Sequence, residues 1–307
     1  MEDQATTGSA RTGLLRTASS RAVAAVRALL NQFRLALRTP AGRIGLPLVL
    51  LHLALALVGP WLAPYPATEF HVEHQLEGPS TQFWLGTDAF GRDILSRVMS
   101  GARSIIGISV TGAVLGTALG TLVGMGSGYK GGKTDEVIMR VMDGLMSFPS
   151  LLMALLVLTS LGANAINIVL TIGIVFTAPV SRVMRSITLA LKTQEFVQSA
   201  RMRGEPAPYI IFREILPNTL PVLAVEGSVR LSYAVLLASS LGFLGLGVQP
   251  PSPDWGLMIS ESRRFIVIAP WVALAPAVAV ASLIVGVNLL TDGVRQARRL
   301  PQGGTKP

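Results

Sequence analysis

Five stretches of this 307-residue chain contain no Asp, Glu, Lys or Arg: residues 44–68, 104–129, 144–181, 231–253 and 265–291. Each is at least as long as the roughly 20 residues that a helix needs to cross a hydrocarbon core of about 30 Å. Charged residues make up only 14% of the chain, against about 25% in a soluble domain. A water-soluble enzyme is thereby excluded, and an all-α, polytopic membrane protein is expected. The chain contains no cysteine, so disulfides, thiolate metal sites and a cysteine nucleophile are excluded as well.

The run at 144–181 cannot be one helix, because at 1.5 Å per residue it would be about 57 Å long. Leu161-Gly162-Ala163-Asn164 supplies the turn that folds it into a hairpin. The run beginning at Leu231 extends back through thirteen residues in which Glu226 and Arg230 are the only charges. Six spans follow, near 44–63, 104–128, 139–160, 165–185, 218–241 and 268–291. Around them, residues 1–40 form an N-terminal tail and 41–100 the first span with an outer loop. Residues 101–295 form a five-helix core with a loop at 186–217, and 296–307 form a C-terminal tail.

An even number of spans puts both termini on one side. Twenty of the 26 Lys and Arg residues fall on that side, six of them in the loop 182–217, and only Arg92, Arg97, Arg263 and Arg264 fall on the other. The positive-inside rule then predicts cytoplasmic termini. The net charge of +9 is thus explained by orientation, and nucleic acid is not an expected partner. Residues 1–20 read as a tail without fixed structure. Residues 21–38 set Val23, Val26, Leu30, Phe33 and Leu37 against Arg27, Arg34 and Arg38, the pattern of an interfacial amphipathic helix lying on membrane lipid.

Several groups of residues stand out. Gly112, Gly116, Gly120, Gly124 and Gly128 recur every fourth residue, a stripe that lets a second helix backbone approach closely. Glu226 and Arg230 share a helix face. A charge at mid-membrane costs about 2.5–3.5 kcal/mol on the insertion scale, so the pair either lines a transport path or locks helices together. Gly132-Lys133-Thr134 resembles the end of a phosphate loop, but Ser127 stands where the motif needs its first glycine, and no strand precedes it. ATP is therefore not expected to bind here. His71 and His74, with Glu69 and Glu73, lack recognisable further metal ligands. His52 stands alone in the first span, and no Ser/His/Asp set is legible.

The loop 186–217 is long for a connection, and long ordered loops are usually functional. Glu195 to Met202 reads as a helix stopped by Gly204, and Pro206 and Pro208 open a second segment running to Leu216-Pro217. Such a knuckle could dock a cytoplasmic partner. The string Glu195-Phe196-Val197-Gln198-Ser199-Ala200-Arg201-Met202-Arg203-Gly204, continuing to Ile215-Leu216-Pro217-Asn218, resembles the Glu-Ala-Ala…Gly…Leu-Pro loop of ABC-importer permease subunits. Gln198 and Ser199 depart from that pattern; Ala200, Gly204, Leu216 and Pro217 keep it. Trp84-Leu85-Gly86-Thr87-Asp88, Gly91-Arg92-Asp93, Phe148-Pro149-Ser150, residues 241–251 with Trp255-Gly256, and Asn288-Leu289-Leu290 with Asp292-Gly293 are similar to the peptide/nickel branch. Within it they resemble the second permease subunit of dipeptide and oligopeptide importers.

The resemblance implies a type I importer permease fold and a place in the bacterial cytoplasmic membrane. It implies a homologous second permease subunit, two ATP-binding subunits that carry the ATP and Mg, and an extracytoplasmic solute-binding protein. The chain itself would hold no cofactor or metal and would not be an enzyme. Ser199, Ala200, Arg203, Gly204 and Glu205 would contact the ATPase, with Pro217 closing the docking loop, and Glu226 and Arg230 would be candidates for the path. The outer segments 84–93 and 249–256 would serve the outer gate and binding-protein docking. Peptide is the implied solute; nickel, glutathione and an oligosaccharide are alternatives within the family. An ion-coupled secondary transporter using Glu226 and Arg230, or a membrane enzyme, are the readings outside it.

Overall fold

A computed structural model describes residues 37–299, with side chains through residue 297. The amphipathic helix expected over 21–38 therefore lies, apart from Leu37 and Arg38, outside the described residues, as does most of the C-terminal tail. In chain order the helices are α1 (Pro40–Leu62), α2 (Ile94–Lys130), α3 (Gly132–Ser147), α4 (Ser150–Leu161), α5 (Ala165–Leu191), α6 (Glu195–Met202), α7 (Ala207–Tyr209), α8 (Leu216–Phe243), α9 (Trp255–Ser262) and α10 (Pro270–Arg299). Among the described residues, five helical stretches are long and apolar enough to cross a membrane, and the bent pair α3–α4 makes a sixth if taken as one span. The described residues divide into two compact units, 37–47 with 289–299 and 48–288.

Helix α2, of 37 residues, is about 55 Å long at 1.5 Å per residue. It starts ten residues before the expected span, because Asp93 caps it by accepting a 2.8 Å hydrogen bond from the Ser96 N–H. Absence of charge marks the hydrocarbon stretch of a helix, and the helix itself runs on into the interface. The glycine stripe of α2 faces α5. A Cβ at Gly112 would lie 2.7 Å from Ile172, one at Gly116 2.8 Å from Phe176, and one at Gly120 2.6 Å from Val180. At Gly124 a methyl would collide with the Ser181 carbonyl, and at Gly128 it would sit 3.1 Å from that of Arg185. With nothing larger than hydrogen on this face, the two backbones are in contact, and van der Waals packing does the work that hydrophobicity cannot do in lipid.

The expected third span, 139–160, is not one helix. Helices α3 and α4 meet at 87°. Pro149 disfavours helical geometry in the residue before it, and Phe148 accordingly adopts φ −88° and ψ 132°. Helix α3 is tied to α5 by two ion pairs: Arg185 grips Asp135 with Nε and Nη2, at 2.6 and 2.5 Å, and Arg182 pairs with Asp143. The expected hairpin turn is present, with Gly162 at φ +88° and Asn164 capping α5 by accepting from the Asn167 N–H at 2.9 Å.

The span expected from residue 218 starts earlier and runs through Pro217. From Ala207 to Phe243 the chain is helical, with a π turn at Ile210–Ile215 in which the Leu216 N–H reaches back five residues to the Ile211 carbonyl. A proline lacks the N–H donor and crowds the carbonyl four residues earlier; the wider turn falls just before Pro217.

At the far end of α2, the fully buried Trp255 packs α9 onto α2, its Nε1–H donating to the Val98 carbonyl at 2.9 Å. Gly101 leaves room for the indole, which a Cβ there would meet at 2.8 Å. In the unit formed by residues 37–47 and 289–299, α1 and α10 approach at Gly42 and Gly293, where a Cβ on Gly293 would lie 2.6 Å from the Gly42 backbone.

Candidate functional site

The knuckle at 195–209 is built by one short helix and one glycine. Helix α6 ends in two hydrogen bonds, Glu205 N–H to Ala200 O at 3.2 Å and Gly204 N–H to Arg201 O at 2.9 Å. This is the paired pattern of a Schellman stop, which needs a left-handed residue at Gly204, and Gly204 has φ +77°. A small cluster of Met125, Val180, Met184, Val197, Ala200, Ile210 and Ile215 bolts the knuckle to α2 and α5. Lys192 Nζ donates to the Gly128 carbonyl at 2.9 Å, and the Arg201 guanidinium lies 5.0 Å from the centre of the Tyr129 ring. The knuckle therefore sits at the end of α2 opposite Asp93.

The expected docking residues divide into two groups. Arg203, Gly204 and Pro217 are exposed, and Ser199 and Glu205 are half-buried. Arg203 reaches Glu214 at 3.6 Å and Glu205 at 3.9 Å, which holds the two arms of the knuckle together. Ala200 differs from the expectation: it is fully buried, facing the cluster beneath α6, and packs the knuckle onto the bundle. Met202, at the tip of α6 beside Gly204, is 82% exposed and was not singled out from the sequence. A methionine in an apolar chain carries no signal on its own; its place just before a glycine stop would have marked it.

Glu226 and Arg230 lie one turn apart on α8. Arg230 Nε donates to Glu226 Oε1 at 2.7 Å, and both side chains are largely buried. The guanidinium also stands 5.8 Å from the Tyr233 ring and 5.9 Å from the Phe176 ring. Arg230 lines a cavity of about 230 Å³ with Phe148, Phe176, Pro179 and Tyr233. Arg230 thus faces the elbow between α3 and α4, and Glu226 supplies its counter-charge without forming part of the cavity wall. A separate groove of about 600 Å³, almost wholly apolar, runs between α2 and α8 past Thr117, Phe212, Leu220 and Gly227.

The histidines serve structure. His74 meets Glu77 at 2.6 Å, and the His71 ring packs 5.0 Å from Tyr65 and 5.3 Å from Phe83. Among the described residues no group of three His, Cys, Asp or Glu could hold a metal ion. His52 bridges α1 to α10, with Nδ1 2.8 Å from the Leu48 carbonyl and Nε2 3.2 Å from Ser282 Oγ. Gly132-Lys133-Thr134 is the first turn of α3.

At the end of the bundle remote from the knuckle, segments 84–93 and 249–256 are held by Asp88 and Asp254. Asp88 accepts from the Phe90 and Arg92 N–H groups at 2.8 and 3.0 Å and pairs with the Arg92 side chain at 2.7 Å. Asp254 caps α9 by accepting from the Leu257 N–H at 2.8 Å and presses on the backbone of Gly242. Burial pushes its carboxyl up to about 6, against the opposing pull of the Leu257 and Gly256 N–H groups.

These features define a multi-pass helical membrane protein with an exposed knuckle at one end of α2. Residues 116–299, more than half of the chain, match the family model described as binding-protein-dependent transport system inner membrane component. Over 250 residues, 81% of its length, the chain is 40% identical to the glutathione transport system permease protein GsiD of Pectobacterium atrosepticum, covering 83% of that protein. It is 41% identical, over 82% of their length, to the proteins of the same name from Escherichia coli O6:K15:H31 and Shigella boydii serotype 4. The chain belongs to this family, as an ABC-importer permease of the peptide/nickel branch.

Proposed function

We propose that the chain carries short peptides, glutathione among them, across the cytoplasmic membrane as one of two homologous permease subunits. Two ATP-binding subunits, holding ATP and Mg, would dock on the knuckle side, where the basic loops and both termini would lie in the cytoplasm. A solute-binding protein would deliver from the other side. The observation that carries this reading is the knuckle: an exposed tip of Met202, Arg203 and Gly204 standing on a buried apolar base shared with α2 and α5. A push on that tip moves its base as one packed body, as alternating access requires. The relatives named for glutathione transport support a peptide solute, since glutathione is a tripeptide.

The test is Gly204→Val in the complete transporter. A Cβ at Gly204 meets nothing within 4 Å, so the substitution acts through backbone strain alone, at about 1–2 kcal/mol, and the chain should still insert. Glutathione uptake driven by ATP in proteoliposomes is expected to fall by about tenfold, with ATPase subunits lost on purification. Normal co-purification together with normal uptake would sink the docking assignment. Uptake abolished by an uncoupler and indifferent to ATP would instead favour an ion-coupled transporter.

A further inference from the structure

Three arginines and two carboxylates surround a cavity of about 510 Å³ at the end of the bundle remote from the knuckle. Arg92 is well satisfied: Nε donates to Asp88 Oδ2 at 2.7 Å and Nη2 to Glu261 Oε2 at 3.0 Å, and its guanidinium lies 4.8 Å from the centre of the Phe90 ring. Arg97 is not. Its side chain is only 4% exposed, yet it approaches the same two oxygens no closer than 3.5 Å. Its Nε is buried without a partner among the described residues. A guanidinium offers five N–H donors, and a buried charged donor left unpaired is among the costliest polar defects a fold can carry. Arg264, exposed at the same cavity, makes no ion pair among the described residues.

Three cations against two anions leave the cavity with one positive charge in excess. Its volume is within the range that accepts a small solute, about 300–1,000 Å³, and far exceeds what one side chain from a docking protein would fill. The group that best completes a guanidinium is a carboxylate, whose two oxygens match its fork. We infer that this cavity binds the carboxylate of a solute of short-peptide size, with Arg97 and Arg264 as its charged donors. Glu261, the more exposed of the two anions at 34%, is the acceptor that the solute's carboxylate displaces. The solute's identity rests on the transport reading above; the binding itself is measurable without transport.

The experiment is calorimetric titration of the complete transporter in nanodiscs, without ATP, using trialanine and its C-terminal amide. Trialanine should bind about tenfold tighter than the amide, equivalent to one charge-assisted interaction. Arg264→Ala should weaken trialanine by about tenfold, and Glu261→Gln, which removes the competing acceptor, should tighten it. Arg264→Ala removes no ion pair among the described residues, Glu261→Gln keeps a side-chain oxygen that can accept from Arg92, and thermal melting of both variants checks that the fold around the cavity is retained. Equal binding of acid and amide, or trialanine binding that neither variant alters, overturns the site. So does a loss confined to uptake that depends on the binding protein, which would assign the arginines to an acidic protein surface. ATP-driven uptake of trialanine on the same preparations separates the two claims: uptake without acid preference in binding removes the site alone, and acid-selective binding without any uptake removes the peptide-transport reading alone.

Discussion

A glycine in a membrane helix can be needed for its size or be merely tolerated, and α2 has both kinds two residues apart. Gly124 lies on the Ser181 backbone, whereas Gly126 faces open space. Gly124→Ala should force α2 from α5 and cost about 1–3 kcal/mol, the usual range for overpacking, seen as a lower melting temperature of the purified complex. Gly126→Ala should be neutral or slightly stabilising, since alanine favours helix by up to about 1 kcal/mol; equal losses from both would remove the packing role. Asp254 makes a prediction in pH. Its carboxyl is raised from 3.8 to about 6 in the fold, so the folded state holds the proton more tightly than the unfolded chain does. That stabilisation is complete below pH 4 and is lost as pH rises through 6, with a size on the order of 3 kcal/mol. Amide exchange in α9 should therefore be slower at pH 5 than at pH 7.5. Asp254→Asn, uncharged and still able to cap, should abolish the difference, and a difference that survives would place its origin in another group.

The knuckle shows which elements a sequence can announce and which it cannot. Helix α6 and its stop at Gly204 were legible, because a Schellman turn has a residue requirement that only glycine meets freely. The face that α6 presents was not, since eight residues make barely two turns and tertiary contacts alone decide which side is down. Ala200 turned inward and Met202 outward for that reason. Met202→Glu should leave the chain folded and in the membrane while reducing ATPase co-purification several-fold. Ala200→Glu, forcing a charge into the cluster around Met184 and Ile215, should lower folded yield first. If Met202→Glu co-purifies with its ATPase like the parent, the tip of the knuckle is not a docking surface. The elbow at Phe148-Pro149 was missed on different grounds: hydropathy sums over residues and has no direction, so an apolar run reads the same straight or bent. The arginine cluster remote from the knuckle is not legible in the sequence, because Arg92 and Glu261 are 169 positions apart, a proximity that only the packing of α9 on α2 creates.

Across the whole bundle, charge is sorted by depth, and Glu226 with Arg230 is the exception that a path or a lock could explain. The two roles separate when both charges are removed together. Replacing a buried pair by apolar residues of similar size is often neutral for stability, whereas breaking it by removing one partner costs about 3–5 kcal/mol. Glu226→Leu with Arg230→Met should thus restore the folded yield that Glu226→Leu alone loses, while glutathione uptake stays depressed by about tenfold. Uptake that returns with folding would make the pair a lock. The elbow has a further consequence, in the lipid. Helix α4 has 12 residues, about 18 Å of rise against a hydrocarbon core of about 30 Å, and α3 leaves it nearly at a right angle. With Val137 and Val141 exposed on α3 and Leu152 and Leu156 on α4, this corner offers an apolar surface shorter than the hydrocarbon core. Either the bilayer is drawn thin there or another protein surface covers the gap. In the first case the corner bends the leaflet around itself, and the membrane's elastic energy becomes one of the terms that the working cycle has to move.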